Sequence, residues 1–269
     1  MSQANATRQP LSADRAAVTT FAQFHAHMYL CEYYSHVGAE NRALLEFLQR
    51  AYATIFAHLR AARLLEFGGG PTIYQLISAS HYPVTIDFSD YLGENLAEVQ
   101  AWLDDAPGQF GWDAFVRYAL ACEQRPSGKA AIERRKRLIR SRVSQLLRCD
   151  AKSATPLGSP PPAPYDIVSI NFVLESITQD RAEWQTLLDN VAPLIRPCGY
   201  VLMSAILGAT RYRVGQLYFP AVPITLDDIY QRLAQSGFTT LSTQAVAAEH
   251  RDEQGYAGIG MVLAKKEEG

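Results

Sequence analysis

The chain has 269 residues, of which 48% are hydrophobic and 19% charged, and this composition is typical of a globular protein with a sizeable core. A formal net charge of −2 gives no electrostatic reason to expect a nucleic acid or an anionic membrane as partner. Apolar runs stay shorter than the ~20 residues of a membrane-spanning helix, and the polar first residues lack the core of a signal peptide. We therefore expect a cytoplasmic protein. The four cysteines are far apart and form no C-x-x-C pair, which argues against a disulfide framework or a zinc site.

The beginning of the chain is predicted to be helical after a polar, flexible start over residues 1–20. From Thr20 to about Leu59, apolar residues recur at helical spacing, with an interruption near Gly38. We expect residues 1–60 to form a helical region apart from the main domain, which would cover residues 61–269.

The most informative stretch is Leu64–Leu76, LLEFGGGPTIYQL. An apolar run, three glycines and a second amphipathic run predict a strand that turns sharply into a helix. Glycines there let the backbone approach a ligand closely, and the first turn of a helix offers free N–H donors. The spacing lacks the third glycine of dinucleotide sites and suits a nucleoside-type cofactor without a pyrophosphate. A tight loop in any α/β protein would look similar.

Further strands and helices alternate along the rest of the chain. Strands are predicted over Pro83–Phe88, Asp166–Phe172, Tyr200–Leu207, Thr239–Val246 and Ile259–Ala264, and helices over Ile73–Ala79, Asn95–Leu103, Lys129–Leu147, Arg181–Leu194 and Ile224–Gly237. Residues Cys149–Ala151 should end a third strand or follow it. The helix over Lys129–Leu147 is basic, but a solvated helix face is favoured over a nucleic-acid or membrane contact because the whole chain is acidic.

This order of elements predicts an α/β fold with a mostly parallel sheet and helices on both faces. Ligands of such sheets bind beyond the carboxyl ends of the strands. Polar residues and glycines fall at those predicted ends, namely Gly68, Gly70, Asp90, Asp150 and Glu175.

Six motifs follow one another in a fixed order between about Tyr29 and Lys265: GGGPTIYQLISA, DYLGENLAEVQAWL, CDA before PLG, NFVLES, RPCGYVLM and RYRVGQ. Together they closely resemble the nicotinamide, phenylethanolamine, indolethylamine and thioether methyltransferase family. The pairing of GPTIYQL with D-Y-x-x-x-N-x-x-E-x-x-x-W is specific to that family. The resemblance implies a class I, Rossmann-like methyltransferase domain with an N-terminal helical lid. It also implies the cofactor S-adenosylmethionine (SAM) and a small amine as methyl acceptor.

The resemblance implies a set of cofactor-binding residues. Two acids compete for the ribose hydroxyls: generic spacing from the first glycine allows Asp87, whereas the family's spacing selects Asp90 and leaves Asp87 as a surface acid at the strand end. A carboxylate suits this role because it accepts two hydroxyl hydrogen bonds. Asn95 and Asp150 are expected at the adenine. The full set is Tyr29, Tyr34, Gly68, Gly69, Gly70, Thr72, Tyr74, Asp90, Asn95, Asp150, Ala151 and Asn171.

Tyr29, Tyr33 and Tyr34 match the family's YLxxYY lid motif. Aromatic faces attract a sulfonium cation, and tyrosine hydroxyls can hold the methionine carboxylate. A closed lid would also exclude water before transfer. Without the resemblance, aromatic residues of a helix core are the less favoured alternative for these tyrosines.

On the acceptor side, Glu175 matches a position where the family has Glu or Asp, and we expect it to be catalytic. A carboxylate there would stabilise the developing ammonium charge and receive the departing proton. A helix-capping or surface acid is the alternative. The resemblance also places Tyr33, Phe172 and Tyr212 against the acceptor. Alanines replace the pocket's polar residues of other members, at Ala205, Ala209 and Ala221.

An apolar pocket with one carboxylate predicts a flat, weakly basic acceptor nitrogen such as that of an indole, indoline or arylamine. Three other activities remain open: an S- or O-methyltransferase with the same cofactor site, a SAM-binding protein without catalysis, and, less favoured, a nucleic-acid methyltransferase. Near the end of the chain, Asp252 and Glu253 lie close to a further acid of some members, and His250 is a weaker candidate base. His25 and His27 make poor metal ligands, since they would point apart on a helix. We expect a monomer.

Overall fold

A seven-stranded sheet forms the centre of the molecule in the computed structural model, which describes residues 20–249 and 255–268. Its strands, in chain order, are β1 (Ala62–Phe67), β2 (Val84–Asp90), β3 (Val143–Arg148), β4 (Tyr165–Asn171), β5 (Ile195–Leu207), β8 (Phe238–Ala247) and β9 (Gly258–Lys266). The spatial order is β3-β2-β1-β4-β5-β9-β8. The first five are parallel, and β9 runs antiparallel to both β5 and β8. A separate hairpin pairs β6 (Arg211–Val214) with β7 (Leu217–Pro220). The predicted mostly parallel sheet is confirmed.

Helices cover both faces of this sheet. They are α1 (Ala26–Tyr34), α2 (Ala39–Phe56), α3 (Tyr74–Ala79), α4 (Gly93–Leu103), α5 (Asp113–Cys122), α6 (Lys129–Arg142), α7 (Arg181–Val191) and α8 (Leu226–Gln235). Successive strand residues point to opposite faces, so a strand covered on both sides is apolar throughout. On β5, Leu202 packs in the core that holds Leu44 of α2, and Met203 packs in the core that holds Trp184 of α7.

The basic helix is shorter than predicted. It ends at Arg142, and the next six residues form β3. Val143 begins this strand, and its register against β2 pairs Leu146 with Phe88. Tertiary pairing has here overridden the helical spacing of the leucines. Cys149 follows β3 directly, as predicted.

Much of the charge on α6 is used inside the protein. Arg135 is buried and forms two hydrogen bonds to Glu123, at 2.8 and 2.5 Å. Arg140 bonds Asp105 at 2.6 Å. Arginine side chains of this helix therefore fasten it to its neighbours.

Two elements were not predicted at all, namely α5 and the β6–β7 hairpin. The predicted break near Gly38 is confirmed between α1 and α2, and α2 contributes Leu44, Leu48 and Ile55 to the main core. The expectations for most of residues 1–20, and for His250, Asp252 and Glu253, fall outside the described residues. Within the described ranges, no helix has both the length and the apolar character needed to cross a membrane.

The topology fixes where a ligand can bind. Strand β1 lies between β2 and β4, so the connections that leave β1 and β4 run to opposite faces of the sheet. A crevice forms beyond the carboxyl ends of the strands at such a switch point. The glycine turn follows β1 directly at this crevice.

Candidate active site

The glycine turn links β1 to α3 through Gly68, Gly69 and Gly70. Gly68 has a φ of +68°, and a Cβ at this position would lie 2.7 Å from Val173. Gly70 has a φ of +63°, but a Cβ there would meet no atom within 4 Å. The turn therefore needs glycine for its backbone shape and presents open space on the side of Gly70. The hydroxyl of Thr72 donates to the carbonyl of Gly69 at 2.8 Å and closes the turn.

Asp90 ends β2 and faces this turn. Its Oδ2 accepts from the N–H of Gly70 at 2.8 Å, and its Oδ1 accepts from the N–H of Leu92 at 2.8 Å and from Asn95 Nδ2 at 3.0 Å. Burial raises the pKa of Asp90, and these donors oppose the rise. Asn95 Oδ1 is buried without a hydrogen-bond partner among the described residues. A polar ligand group that donates a hydrogen bond would satisfy it.

The competing acid, Asp87, has a structural role instead. It is only 4% exposed, so the expectation of a surface acid is wrong. Its carboxylate accepts a hydrogen bond from Tyr165 at 2.8 Å and pairs with Arg63 at 3.4 Å. Three adjacent strands carry these residues, β2, β4 and β1, and Asp87 ties them together.

Asp150 and Ala151 follow β3, as the sequence predicted. The side chain of Asp150 accepts from the N–H of Lys152 at 2.9 Å, and the carbonyl of Ala151 accepts from Asn190 at 2.9 Å. These bonds order the loop without using the N–H of Ala151.

Asn171 ends β4 and joins three neighbouring strands. Its Nδ2 donates to Glu66 Oε1 on β1 at 3.1 Å, and its Oδ1 accepts from the hydroxyl of Ser204 on β5 at 2.7 Å. Glu66 is fully buried, and burial raises its pKa to about 8. Its Oε2 has no partner with hydrogen-bond geometry in the described part of the chain. Both polar atoms of the Asn171 side chain are thus already hydrogen-bonded to neighbouring strands beneath the crevice.

Tyrosines of α1 cover the crevice. The ring of Tyr34 stacks on that of Tyr74 with centroids 5.3 Å apart, and its hydroxyl lies 3.4 Å from that of Tyr29. Tyr33 donates to the carbonyl of Arg213 at 2.7 Å. Burial is the main cause that raises the pKa of Tyr29, Tyr34 and Tyr74, so these phenols stay protonated.

One cavity of about 530 Å³ brings most of the predicted residues together. Its wall includes Tyr29, Tyr33, Tyr34, Gly68, Gly69, Gly70, Thr72, Tyr74, Asp90, Asn95, Asp150, Ala151, Asn171, Phe172 and Tyr212. Four predicted residues lie within the described ranges but not on this wall: Glu175, Ala205, Ala209 and Ala221.

Glu175 lies beside the wall and is only 1% exposed, so it is neither a surface acid nor a helix cap. Its Oε1 accepts from the N–H of Ile206 at 2.9 Å and from the hydroxyl of Ser176 at 3.3 Å. Both of these neighbours line the cavity. Burial raises the pKa of Glu175 to about 7, and its charge contributes to the raised pKa of Tyr212, for which burial is the main cause. The carboxyl group can therefore change its charge near neutral pH.

The alanines lie elsewhere than expected. Side chains alternate along β5, and Ile206 lines the cavity, so Ala205 points to the opposite core with Met203. Ala209 and Ala221 are buried in the core that includes Tyr34. All three alanines are packed in the hydrophobic cores, and none of them lines the cavity.

The wall also carries acids that sequence reasoning missed. Glu40 lies in the first turn of α2 and accepts from the hydroxyl of Tyr256 at 3.3 Å, and Glu249 accepts from the N–H of Ala39 at 3.2 Å. Glu32 of α1 lines the same cavity. The pocket is therefore not an apolar one with a single carboxylate. Acids on an amphipathic helix or after an edge strand look like surface residues in a sequence, so no local signal marked them.

The model of the NNMT/PNMT/TEMT family matches residues 14–267. The chain belongs to this family. It is 33% identical over 197 residues to phenylethanolamine N-methyltransferase of Macaca mulatta, covering 72% of this chain and 68% of the relative. It is 29% identical over 226 residues to human nicotinamide N-methyltransferase, covering 82% and 84%. Indolethylamine N-methyltransferase of Mus musculus is 29% identical over 249 residues, covering 91% and 93%.

Solved methyltransferase structures share the fold of this family member. N-methyltransferase NodS of Bradyrhizobium japonicum in complex with S-adenosylhomocysteine superposes with a TM-score of 0.52 at 11% identity, covering 85% of this chain and 88% of NodS. The DhpI–S-adenosylhomocysteine complex gives a TM-score of 0.53 at 14% identity, covering 90% and 91%. The protein is therefore a SAM-dependent methyltransferase, and N-methylation of amines is the activity that the comparisons support.

Proposed function

We propose that this methyltransferase transfers the methyl group of SAM to the nitrogen of a small amine that carries an aromatic ring, of the indole, indoline or arylamine kind. The observation that carries the proposal is one continuous cavity, which joins the glycine turn and Asp90 to the aromatic side chains of Phe172 and Tyr212. A flat ring fits between such side chains, because aromatic groups prefer stacked or edge-to-face contact.

The cofactor end of the cavity fits SAM. In this proposal Asp90 accepts from the ribose hydroxyls, and Asn95 uses its unsatisfied Oδ1 toward a donor of the nucleoside. Asp150 and the N–H of Ala151 recognise the adenine edge. The open space beside Gly70 admits the ligand close to the backbone. Tyr29, Tyr34 and Tyr74, whose hydroxyls remain protonated, face the methionine part as donors.

Bound SAM supplies a methyl group on a positively charged sulfur. Its transfer to nitrogen moves that charge onto the acceptor, so positioning supplies most of the rate when the amine arrives neutral. Glu175 lies beside the cavity wall and accepts from the hydroxyl of Ser176, which lines the cavity. We assign to Glu175 the stabilisation of this charge and, by way of the Ser176 hydroxyl, the removal of a proton from the nitrogen. A carboxyl group with a pKa of about 7 accepts a proton effectively near neutral pH, which is the range where a general base is best matched to its task.

Comparison of Glu175→Gln with Glu175→Asp tests this assignment. Glutamine keeps an oxygen for the N–H of Ile206 but cannot take a proton, so kcat should fall by about 10²-fold or more while SAM affinity stays near that of the unmodified protein. Aspartate should retain part of the activity. The kcat of the unmodified enzyme should rise with pH through about 7, and this rise should vanish in the Gln variant. Full activity of Glu175→Gln would leave Glu175 with a structural role only.

A methyl-transfer screen tests the acceptor. Indoline, an arylamine, tryptamine, phenylethanolamine, nicotinamide and a thioether would each be offered with SAM, and products would be read by mass spectrometry. N-methylation of an indole-type or aryl amine supports the proposal. Preference for nicotinamide, or methylation of sulfur or oxygen only, refutes the acceptor class and leaves the cofactor site untouched.

A further inference from the structure

A compact set of contacts joins α1 to the β6–β7 hairpin. Glu32 Oε1 pairs with the guanidinium of Arg213 at 2.7 Å, and Glu32 Oε2 accepts from the N–H of Gly215 at 2.8 Å. The next residue on α1, Tyr33, donates to the carbonyl of Arg213 at 2.7 Å. We call this set of Glu32, Tyr33, Arg213 and Gly215 the clasp.

The clasp depends on the shape of the hairpin turn. Gly215 has a φ of +61°, and a Cβ at this position would lie 2.2 Å from the terminal carbon of Met28 on α1. A side chain here would displace the flexible end of Met28 and would strain the backbone, because a positive φ favours glycine. Arg213 also donates to the carbonyl of Gly215 at 2.9 Å, which holds the arginine in place to meet Glu32.

Two members of the clasp and one residue next to it in sequence form part of the cavity wall. Tyr33 and Tyr212 both line the cavity, one from α1 and the other from β6. An aromatic cluster reinforces this side, because Phe219 of β7 lies 5.6 Å from Tyr212 and 5.5 Å from Phe24 between ring centroids. The clasp therefore bridges two segments that enclose the same space.

The clasp is also partly accessible to solvent. The side chain of Glu32 is 23% exposed and that of Arg213 is 43% exposed. Such a pair is weak enough to open without unfolding the protein and is screened by salt. The α1 helix itself has nine residues, too few to be stable without such contacts.

We propose that Glu32 and Arg213 are positioning residues that hold α1 against the hairpin, and that SAM and its product leave the cavity only after this contact opens. Glu32 lines the cavity and Arg213 does not, so Arg213→Met is the variant that separates loss of the contact from a direct effect on the ligand. Their loss should raise the dissociation rate of the cofactor while the chemical step is preserved whenever α1 is closed. This inference concerns SAM alone, so it stands or falls independently of the acceptor.

The test is a double-mutant cycle on SAM dissociation, with Glu32→Gln, Arg213→Met and the double variant. Displacement of bound SAM would be followed by stopped-flow fluorescence of Trp112, whose ring lies 5.5 Å from that of Tyr34. Each single variant should dissociate about fivefold faster, the factor expected for a partly exposed ion pair. The double variant should be no faster than the singles, because one contact is lost in all three. Unchanged rates in both single variants, or effects that multiply in the double variant, would overturn the proposal.

Asp189→Asn is a matched control. Asp189 pairs with Arg232 between α7 and α8, and neither residue lines the cavity. Its loss should leave SAM dissociation unchanged; an equal acceleration would show that any lost ion pair loosens the site. A second measurement needs no variant: in the unmodified protein, high salt should accelerate SAM dissociation more than it does in the double variant. Equal salt responses would refute the clasp even if a single variant failed to fold.

Discussion

Substitution of Glu66 by glutamine should make the protein less sensitive to alkaline pH. Glu66 is fully buried on β1, one of its oxygens accepts from Asn171, and the other has no partner in the described ranges. Burial raises its pKa from 4.5 to about 8. Glutamine keeps the oxygen that Asn171 needs and cannot ionise.

The sign of the pH effect follows from proton binding. Between pH 4.5 and pH 8 the unfolded chain has released the proton of Glu66 while the folded protein keeps it. Stability from this group is therefore complete below about pH 4.5 and is lost as pH rises through about 8. At 1.4 kcal/mol per unit, the unmodified protein should lose roughly 3 kcal/mol more than Glu66→Gln between about pH 6 and 9.

Urea unfolding of both proteins at those two pH values, without SAM, measures this difference. Glu175 also has a raised pKa, about 7, but it is present in both proteins and cancels in the comparison. The two proteins should have similar free energies of unfolding only at about pH 4.5 and below, where Glu66 is protonated in both the folded and the unfolded state. By pH 6 the unmodified protein should already have lost about 2 kcal/mol relative to Glu66→Gln. Parallel pH dependence of the two free energies would refute the reasoning, because Glu66 would then ionise in the folded protein as it does in the unfolded chain.

Further substitutions test the site and the core. Asp90→Ala should weaken SAM binding by about 10- to 100-fold, the scale of lost charged hydrogen bonds. Asp87→Ala on the same strand should lower the unfolding temperature and leave SAM affinity unchanged. Calorimetry in which Asp87→Ala weakens SAM binding and Asp90→Ala only lowers the unfolding temperature would assign SAM binding to Asp87. Gly70→Ala should reduce SAM affinity because its methyl group enters open space, at a stability cost of only about 1 kcal/mol; unchanged affinity would place the ligand elsewhere. Glu123→Gln should destabilise the protein by about 3 kcal/mol in urea unfolding, because it leaves the buried Arg135 without its charge partner; a loss below 1 kcal/mol would contradict a buried ion pair.

The local parts of the fold and site were predictable from the sequence. The strand, glycine turn and helix around Gly68 depend on contacts between near neighbours, and their hydrophobic spacing and glycine content express those contacts directly. Asp90 and Asp150 were placed because each follows a strand of a parallel sheet. The family motifs were needed to select Asp90 over Asp87, because generic spacing from the glycines alone did not decide between the two acids.

What was missed depends on contacts between distant parts of the chain. Asp87 is buried because Tyr165, 78 positions later in the sequence, donates to it. Residues after Arg142 form a strand because β2 offers an unpaired edge, and their own pattern reads as helix. Glu40 and Glu249 reach the cavity from segments 209 positions apart in the printed sequence. No local pattern records such encounters.

The hydrogen bonds between Glu66, Asn171 and Ser204 limit how the two ends of the cavity can change in sequence among relatives. They cross three neighbouring strands, β1, β4 and β5, so a slip of one residue in any strand would break them. The strands beneath the cofactor end of the cavity therefore tolerate few changes of sequence at these residues. The proposed acceptor end is bordered by α1 and a short hairpin, which are joined by a partly exposed ion pair. Relatives with this fold can therefore change their methyl acceptor through substitutions in α1 and the hairpin. The three strands meanwhile continue to present SAM in the same orientation.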